Sequence, residues 1–167
     1  MLTQERLKEA LQYDPDTGVF IWISKPLGIK GNGIRLGSVA GSLKEDGYIR
    51  IGIDGEYFYA NRLAWLYLYG EFPEAEVDHA NGVRSDNRKT NLRLANIQQN
   101  RRNTKRNSLN TSGYKGVHFS KAAKKWLATI FLNGKNRHLG CFETAEVAAA
   151  AYRKAAAFHF GEFARFE

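Results

Sequence analysis

The stretch Glu76-Val77-Asp78-His79-Ala80-Asn81-Gly82, followed by Asp86-Asn87-Arg88 and Asn91-Leu92-Arg93, decides how this chain is read. A carboxylate stands directly beside an imidazole. Asn91 follows His79 by 12 residues and Asn100 follows Asn91 by 9. Taken singly, these residues carry little. An Asp-His pair is commonly a surface turn, and asparagines cap helices or sit solvated in loops. Asn81, Asn87 and Asn96 are accounted for as ordinary loop residues.

The charge changes sign beside this stretch. Residues 1–76 hold 8 basic and 11 acidic residues, residues 77–112 hold 8 and 2, and residues 113–167 hold 9 and 4. The overall +8 is therefore a mildly acidic portion of −3 followed by basic segments of +6 and +5. Such asymmetry marks polyanion binding better than the total does.

A length of 167 residues fits one large domain or two small ones. With 43% hydrophobic and 13% aromatic residues the chain can bury cores, which excludes a wholly disordered basic protein. The longest apolar runs, such as Ala148–Tyr152 and Ala155–Phe158, are far shorter than the ~20 residues that span a bilayer. Met1–Ala10 has no apolar core of a secretory signal, so a cytoplasmic location and no membrane partner are expected. The single cysteine, Cys141, excludes an intrachain disulfide framework and a multi-cysteine zinc site.

Local chemistry sets the expected elements. Thr3 caps a short helix carrying Arg6, Leu7 and Leu11. Tyr13–Gly18 is a turn into a strand over Val19–Ile23. Lys25–Gly37 reads as a glycine-rich loop. Tyr48–Ile53 and Tyr57–Tyr59 pair through Asp54-Gly55, and Asn61–Tyr69 is a helix that Gly70 stops. Asp86–Asn100 reads as a turn leading into a short helix. Thr104–Ser112 has linker composition. Beyond it, strands are expected over Gly116–Ser120, Trp126–Asn133 and Arg137–Phe142, the last two joined at Asn133-Gly134. Thr144–His159 reads as an alanine-rich helix capped by Thr144 and ended by Gly161, with Ala148, Ala151, Tyr152, Ala155 and His159 on one face. His159 is expected to be structural or solvent-facing, and Cys141 a buried small residue.

The segment from Asp78 to Asn100 resembles the HNH endonucleases, particularly phage and intron-encoded homing endonucleases. The resemblance rests on Val77-Asp78-His79, Asn91-Leu92-Arg93 and Asn100 at their spacings. Arg62-Leu63-Ala64-Trp65, Gly70-Glu71-Phe72-Pro73 and the Tyr13–Trp22 stretch extend it over residues 1–103. It departs at Asn61, where the family often has histidine, and at Val83, where a polar residue is common. The resemblance implies an α+β fold: a ββα-metal (His-Me finger) nuclease domain. It implies His79 as the base that activates water, Asn91 to orient the His79 ring or brace the turn, and Asp78 and Asn100 as metal ligands. Phosphodiester hydrolysis needs an activated water and a cation on the phosphate, and a histidine neutral near pH 7 is a suitable base. Magnesium is the expected divalent metal, with manganese the alternative, and no structural zinc is expected.

Residues 112–167 resemble the plant ethylene-response-factor, or Apetala-two, domain through Ser112–Val117, Trp126-Leu127-Ala128, Leu139–Glu146 and Ala148–Tyr152. That implies a small three-stranded antiparallel sheet packed on one helix, reading the major groove of double-stranded DNA. Lys115, His118, Asn136 and His138 stand at its groove-facing positions, with Phe131 replacing an arginine, so the plant target does not transfer. Lys121, Lys124 and Lys125 suit phosphate contacts, as do Arg88 and Arg93, and Arg101, Arg102, Lys105 and Arg106 in the basic linker over 104–111 and just before it. The expectation is thus a site-specific homing endonuclease of a phage or mobile element. It would act as a monomer or weak dimer in the cytoplasm of a bacterial or phage-infected cell. The rivals are a non-catalytic DNA-binding transcriptional regulator and an RNA-binding protein.

Overall fold

Thr3 sets the first element of the computed structural model: its hydroxyl accepts the Arg6 N–H at 3.2 Å, and helix α1 runs Gln4–Ala10. The structure describes residues 1–25, 27, 34–96, 99–100 and 109–166. Two units divide the chain, Met1–Asn96 and Ile97–Glu167. The expected linker lies mostly on 104–108, outside the described residues, as do Arg101, Arg102, Lys105, Arg106 and most of the loop expected over 25–37.

In the first unit, α1 ends one residue earlier than expected. Leu11 is extended and opens β1 (Leu11–Asp14), which pairs antiparallel with β2 (Val19–Trp22). Leu11 is fully buried in the strand, so the helix pattern and the strand both satisfy its side chain, and pairing with Trp22 decides. The intervening turn is held by the Asp14 carboxylate, which accepts the Asp16 N–H at 2.9 Å and the Thr17 hydroxyl at 2.8 Å. Strands β3 (Ser42–Leu43), β4 (Ile49–Ile53) and β5 (Glu56–Tyr59) form a second antiparallel sheet. Asp54 and Gly55 make the β4–β5 turn with φ of 51° and 86°, the mirror-image turn that this dipeptide favours. Helix α2 (Ala60–Tyr69) follows and stops at left-handed Gly70. Leu7, Phe20, Trp22, Ile51, Ile53, Leu63 and Leu66 fuse these elements into one core.

The unit closes with β6 (Glu76–His79) and β7 (Leu92–Ala95), antiparallel, with a 3-10 turn over Lys89–Asn91 between them. The helix expected within Asp86–Asn100 is displaced by β7, and of its residues Gln99 and Asn100 are helical. Leu92 and Leu94 alternate with Arg93, a strand pattern too short to register beside the surrounding turn residues.

The second unit is an antiparallel sheet in the order β10-β9-β8: β8 (Val117–Ser120), β9 (Lys125–Leu132), β10 (Lys135–Phe142). Helix α3 (Ala145–Phe160) is capped by Thr144 and contacts all three strands. Its buried face is Ala145, Ala148, Ala149, Tyr152, Ala156 and Phe160, rotated by about one residue from the expected stripe. His159 is exposed. Gly116 shows why the helix lies so close: a Cβ there would stand 2.2 Å from the Tyr152 ring.

Candidate active site

Val77, Asp78 and His79 are all buried, unusual for two ionisable residues at the end of a two-stranded ladder. Helix α2 packs on β6, and the Asn61 amide donates to the Val77 carbonyl at 2.9 Å, fixing the strand just before the Asp-His pair. Asn61 Oδ1 is buried without a partner, the single such side-chain atom among the described residues.

Asp78 is 6% exposed and lies directly across the ladder from Arg93. Arg93 Nε and Nη2 both donate to Asp78 Oδ2, at 3.0 and 2.9 Å. A buried carboxylate requires such a partner. Arg93, expected at DNA phosphates, is therefore committed to Asp78.

His79 is 3% exposed, with its ring 5.8 Å from that of Tyr48. Its Nε2 lies 3.1 Å from Asn87 Oδ1. The Asn87 amide cannot present its nitrogen there, because Nδ2 donates to the Ser85 carbonyl at 3.3 Å. Nε2 is therefore the protonated nitrogen and Nδ1 carries the lone pair, a tautomer assigned from the network. Burial pushes the imidazole below the ordinary histidine value of 6.5, against the upward pull of Asn87, Asp78 and Asp86 and with Arg84 adding to the fall. The ring is accordingly neutral at pH 7.

Asn87 is itself pinned from the other side. Its carbonyl accepts the buried Tyr13 hydroxyl at 2.6 Å, and Lys89 N–H reaches Pro15 O at 2.9 Å. The β1–β2 turn thus props the loop that holds His79. Burial pushes the Tyr13 phenol far up, so it remains a donor at any physiological pH.

Asn91 performs a different task from Asn87. Its Oδ1 accepts the Asn81 N–H at 2.9 Å and its Nδ2 donates to the Asp86 carbonyl at 2.7 Å. It braces the 80–91 loop, while Asn87 is the residue on the ring. Arg88 Nε and Nη2 lie 2.8 and 2.6 Å from the two Asp86 oxygens, and this pairing holds the Asp86 carboxyl down at about 2. Asn100 is helical, half-buried and in the second unit.

The second unit turns Val117, Ala128 and Ile130 toward α3, so the alternate positions His118, Leu127, Thr129 and Phe131 face away from it. Asn136 pairs with Phe131 and His138 with Thr129, on that same open face. Cys141, paired with Leu127, is exposed there rather than buried, its sulfur 3.5 Å from His138 Nε2. A bulge between His138 and Gly140 accommodates Leu139, which packs into the core, and resumes the open face at Cys141. Lys121 and Lys124 are exposed, Lys125 pairs with Glu143 at 2.8 Å, and Lys115 is half-buried with its amine pushed down to about 8 by burial and then Arg165.

Asn87, Tyr13 and Tyr48 went unread in the sequence. Loop side chains follow no period that tells which one turns inward, so the Asp86-Asn87 pair gave no direction. Asn87→Asp should raise the His79 pKa, since a carboxylate facing Nε2–H favours imidazolium. Titration of the His79 ring by NMR checks this: the wild type should titrate below the ordinary histidine value, and the variant higher than the wild type.

The solved structure described as DNA binding and cleavage by the HNH homing endonuclease I-HmuI aligns over 90% of this chain and 84% of its own, with a TM-score of 0.41 and 20% identity. Protein 3.8 of Escherichia phage T7 is 36% identical over 103 residues, 61% of this chain and 84% of that protein. The HNH endonuclease family model matches residues 58–102, which span α2, β6, the His79 loop and β7. On that relative and that match, the chain belongs to the HNH endonuclease family, enzymes that cut DNA.

Proposed function

We propose that the chain is a metal-dependent endonuclease that hydrolyses phosphodiester bonds of double-stranded DNA at chosen sites. The observation that carries this reading is a buried, neutral His79 whose tautomer Asn87 fixes, next to the buried carboxylate Asp78. A base that is neutral at pH 7 and cannot rotate suits removal of a proton from water.

Among the described residues there is no group of three or more His, Cys, Asp or Glu side chains that could hold a metal ion. Magnesium needs no such group, since it is held by one or two protein oxygens together with phosphate and water. By the family resemblance Asp78 would hold it, in competition with its partner Arg93, and Asn100 would be the second protein ligand. When bound, a divalent cation supplies neutralisation of phosphate charge. His79 Nδ1 takes the proton of the attacking water, Asn87 keeps the ring in place as it becomes cationic, and Asn91 keeps the 80–91 loop closed. This reading corresponds to the expected ββα-metal arrangement, and the antiparallel pairing of β6 with β7 supports its two strands.

The second unit is read as the module that recognises sequence, of Apetala-two type. Its open face, with His118, Asn136 and His138 as donors and acceptors and Phe131 and Leu127 as apolar contacts, supports entry into a major groove. Exposed Lys121 and Lys124 suit the flanking phosphates, as do Arg101, Arg102, Lys105 and Arg106. Among the described residues no helix is long and apolar enough to cross a membrane. A nuclease and a reader on one chain would suit a homing role in a phage or mobile element.

Nicking of supercoiled plasmid tests the reading. Cutting is expected in magnesium or manganese and none in EDTA, while duplex binding persists in EDTA. Tight duplex binding without cutting in either metal would establish the regulator instead.

A further inference from the structure

Three described arginines of the first unit lie over aromatic rings, Arg62 over Phe72 and two others, Arg84 and Arg50, over a chain of rings that ends at His79. The Arg84 guanidinium carbon lies 5.0 Å from the centre of the Tyr48 ring, and that of Arg50 lies 5.2 Å from the centre of Tyr59. The two tyrosine rings are 5.1 Å apart. Tyr48 is also the ring beside His79, at 5.8 Å. The order is Arg50, Tyr59, Tyr48, Arg84, with the histidine against the third member.

The other described arginines with ring or ion-pair partners around this site are occupied differently. Arg88 is closed on Asp86 and Arg93 on Asp78, each through two of its nitrogens. A guanidinium so paired is electrically compensated, and two of its in-plane donor nitrogens are engaged. A ring beneath a guanidinium attracts its face and leaves the in-plane N–H groups available. Arg84 gives one hydrogen bond, from Nη1 to the Asp46 carbonyl at 2.8 Å, an acceptor with no net charge. It is exposed, as is Arg50. The arrangement orders the side chain in advance without neutralising it, which is what a phosphate-binding arginine requires.

We propose that Arg84, steadied on Tyr48 and on the Asp46 carbonyl, grips a backbone phosphate of the DNA next to the bond cut at His79, and that Arg50 on Tyr59 takes the next one. The assignment rests on the nuclease reading and names the substrate contacts of that same site. Tyr48 is then a positioning residue shared by base and clamp, so that one ring sets the distance between the histidine and the phosphate.

The rival is a clip: Arg84 merely ties the turn at Asp46 to the 80–91 loop. The two separate in the salt dependence of binding and in kinetics. Binding of a mixed-sequence duplex by the full chain is measured in EDTA across a salt series, beside nicking kinetics in magnesium. Arg84→Ala should flatten the slope of log affinity against log salt by about 0.9, the share of one phosphate. It should weaken binding and raise KM by roughly tenfold, with kcat nearly kept. Arg84→Gln keeps a donor for the Asp46 carbonyl and loses the charge, so it should behave like alanine in slope while melting like the wild type. Lys8→Ala, which removes one charge from α1, should leave the slope unchanged.

Unchanged slope and KM in Arg84→Gln, in a chain whose cutting is intact, overturn the clamp and leave the nuclease standing. A wild type that neither binds nor cuts duplex DNA overturns both.

Discussion

Replacing His79 by alanine should abolish strand cutting, lowering kcat by about 10³-fold, within the span attributed to a positioned general base. Duplex binding should persist, because the ring is neutral and 3% exposed and so offers no cation to phosphate. Alanine also leaves Asn87 Oδ1 without its donor and opens a void, at a cost of roughly 2–3 kcal/mol in stability. Loss of activity could then be confused with loss of fold, and a second substitution separates them. His79→Gln fills much of the space and can give Asn87 an N–H, but has no basic nitrogen. It should recover stability and recover no cutting.

The pH profile adds a sign. The base works only when neutral, so log kcat for the wild type should climb with pH and level off once His79 has lost its proton. Burial places that point below 6.5, so the plateau begins on the acid side of neutrality. Asn87→Asp should move the rise to higher pH by holding the proton on the ring. A variant lacking His79 that still cuts at the wild-type rate, or a rise that Asn87→Asp leaves in place, would remove His79 from the chemistry.

What the sequence disclosed and what it hid divide along a physical line. Turns fixed by backbone conformation were readable from two residues. Asp54-Gly55 and Asn133-Gly134 both adopt positive φ at each position, and Thr3 and Thr144 both accept the N–H they were expected to accept. The Asp78-His79 pair was likewise visible, since adjacent residues need no folding to stand together. Which amide meets the histidine was not. Asn87 and Asn91 are the same residue type four positions apart on one loop, and both are buried. Their tasks are set by Tyr13, Ser85 and Asn81, partners brought in by loop closure. The alanine helix fails in a milder way. Alanines occupy half of its positions, so adjacent stripes are nearly equal in hydrophobicity, and the larger Tyr152 and Phe160 choose the buried one. Cys141 lies outward because the bulge at His138/Gly140 shifts the alternation along β10.

Gly18→Ala should be the most damaging small substitution in the first unit, costing roughly 2–4 kcal/mol. Two penalties combine. Gly18 has φ of +74°, where a Cβ is strained, and a Cβ there would stand 2.5 Å from both the Arg88 nitrogen and the Asn87 carbonyl carbon. Both atoms are backbone, so no side chain can swing aside. Gly55→Ala isolates the first penalty: its φ is +86°, but nothing lies within 4 Å of the added carbon. It should cost about 1 kcal/mol. Urea unfolding of the two variants gives the difference, and the excess measures contact with the Asn87 segment. That contact also predicts which functional parameter moves. Pushing residues 87 and 88 away from the β1–β2 turn lengthens the bond from Asn87 to His79 Nε2, so Gly18→Ala should lower kcat and shift the His79 titration, while Gly55→Ala does neither. Equal losses of stability in the two variants, with the His79 titration unmoved, would show that the turn is only a neighbour of the loop. A larger loss at Gly18 with a moved titration makes Asp14–Gly18 a support of the catalytic base, reached through backbone from a hairpin more than sixty residues upstream in sequence.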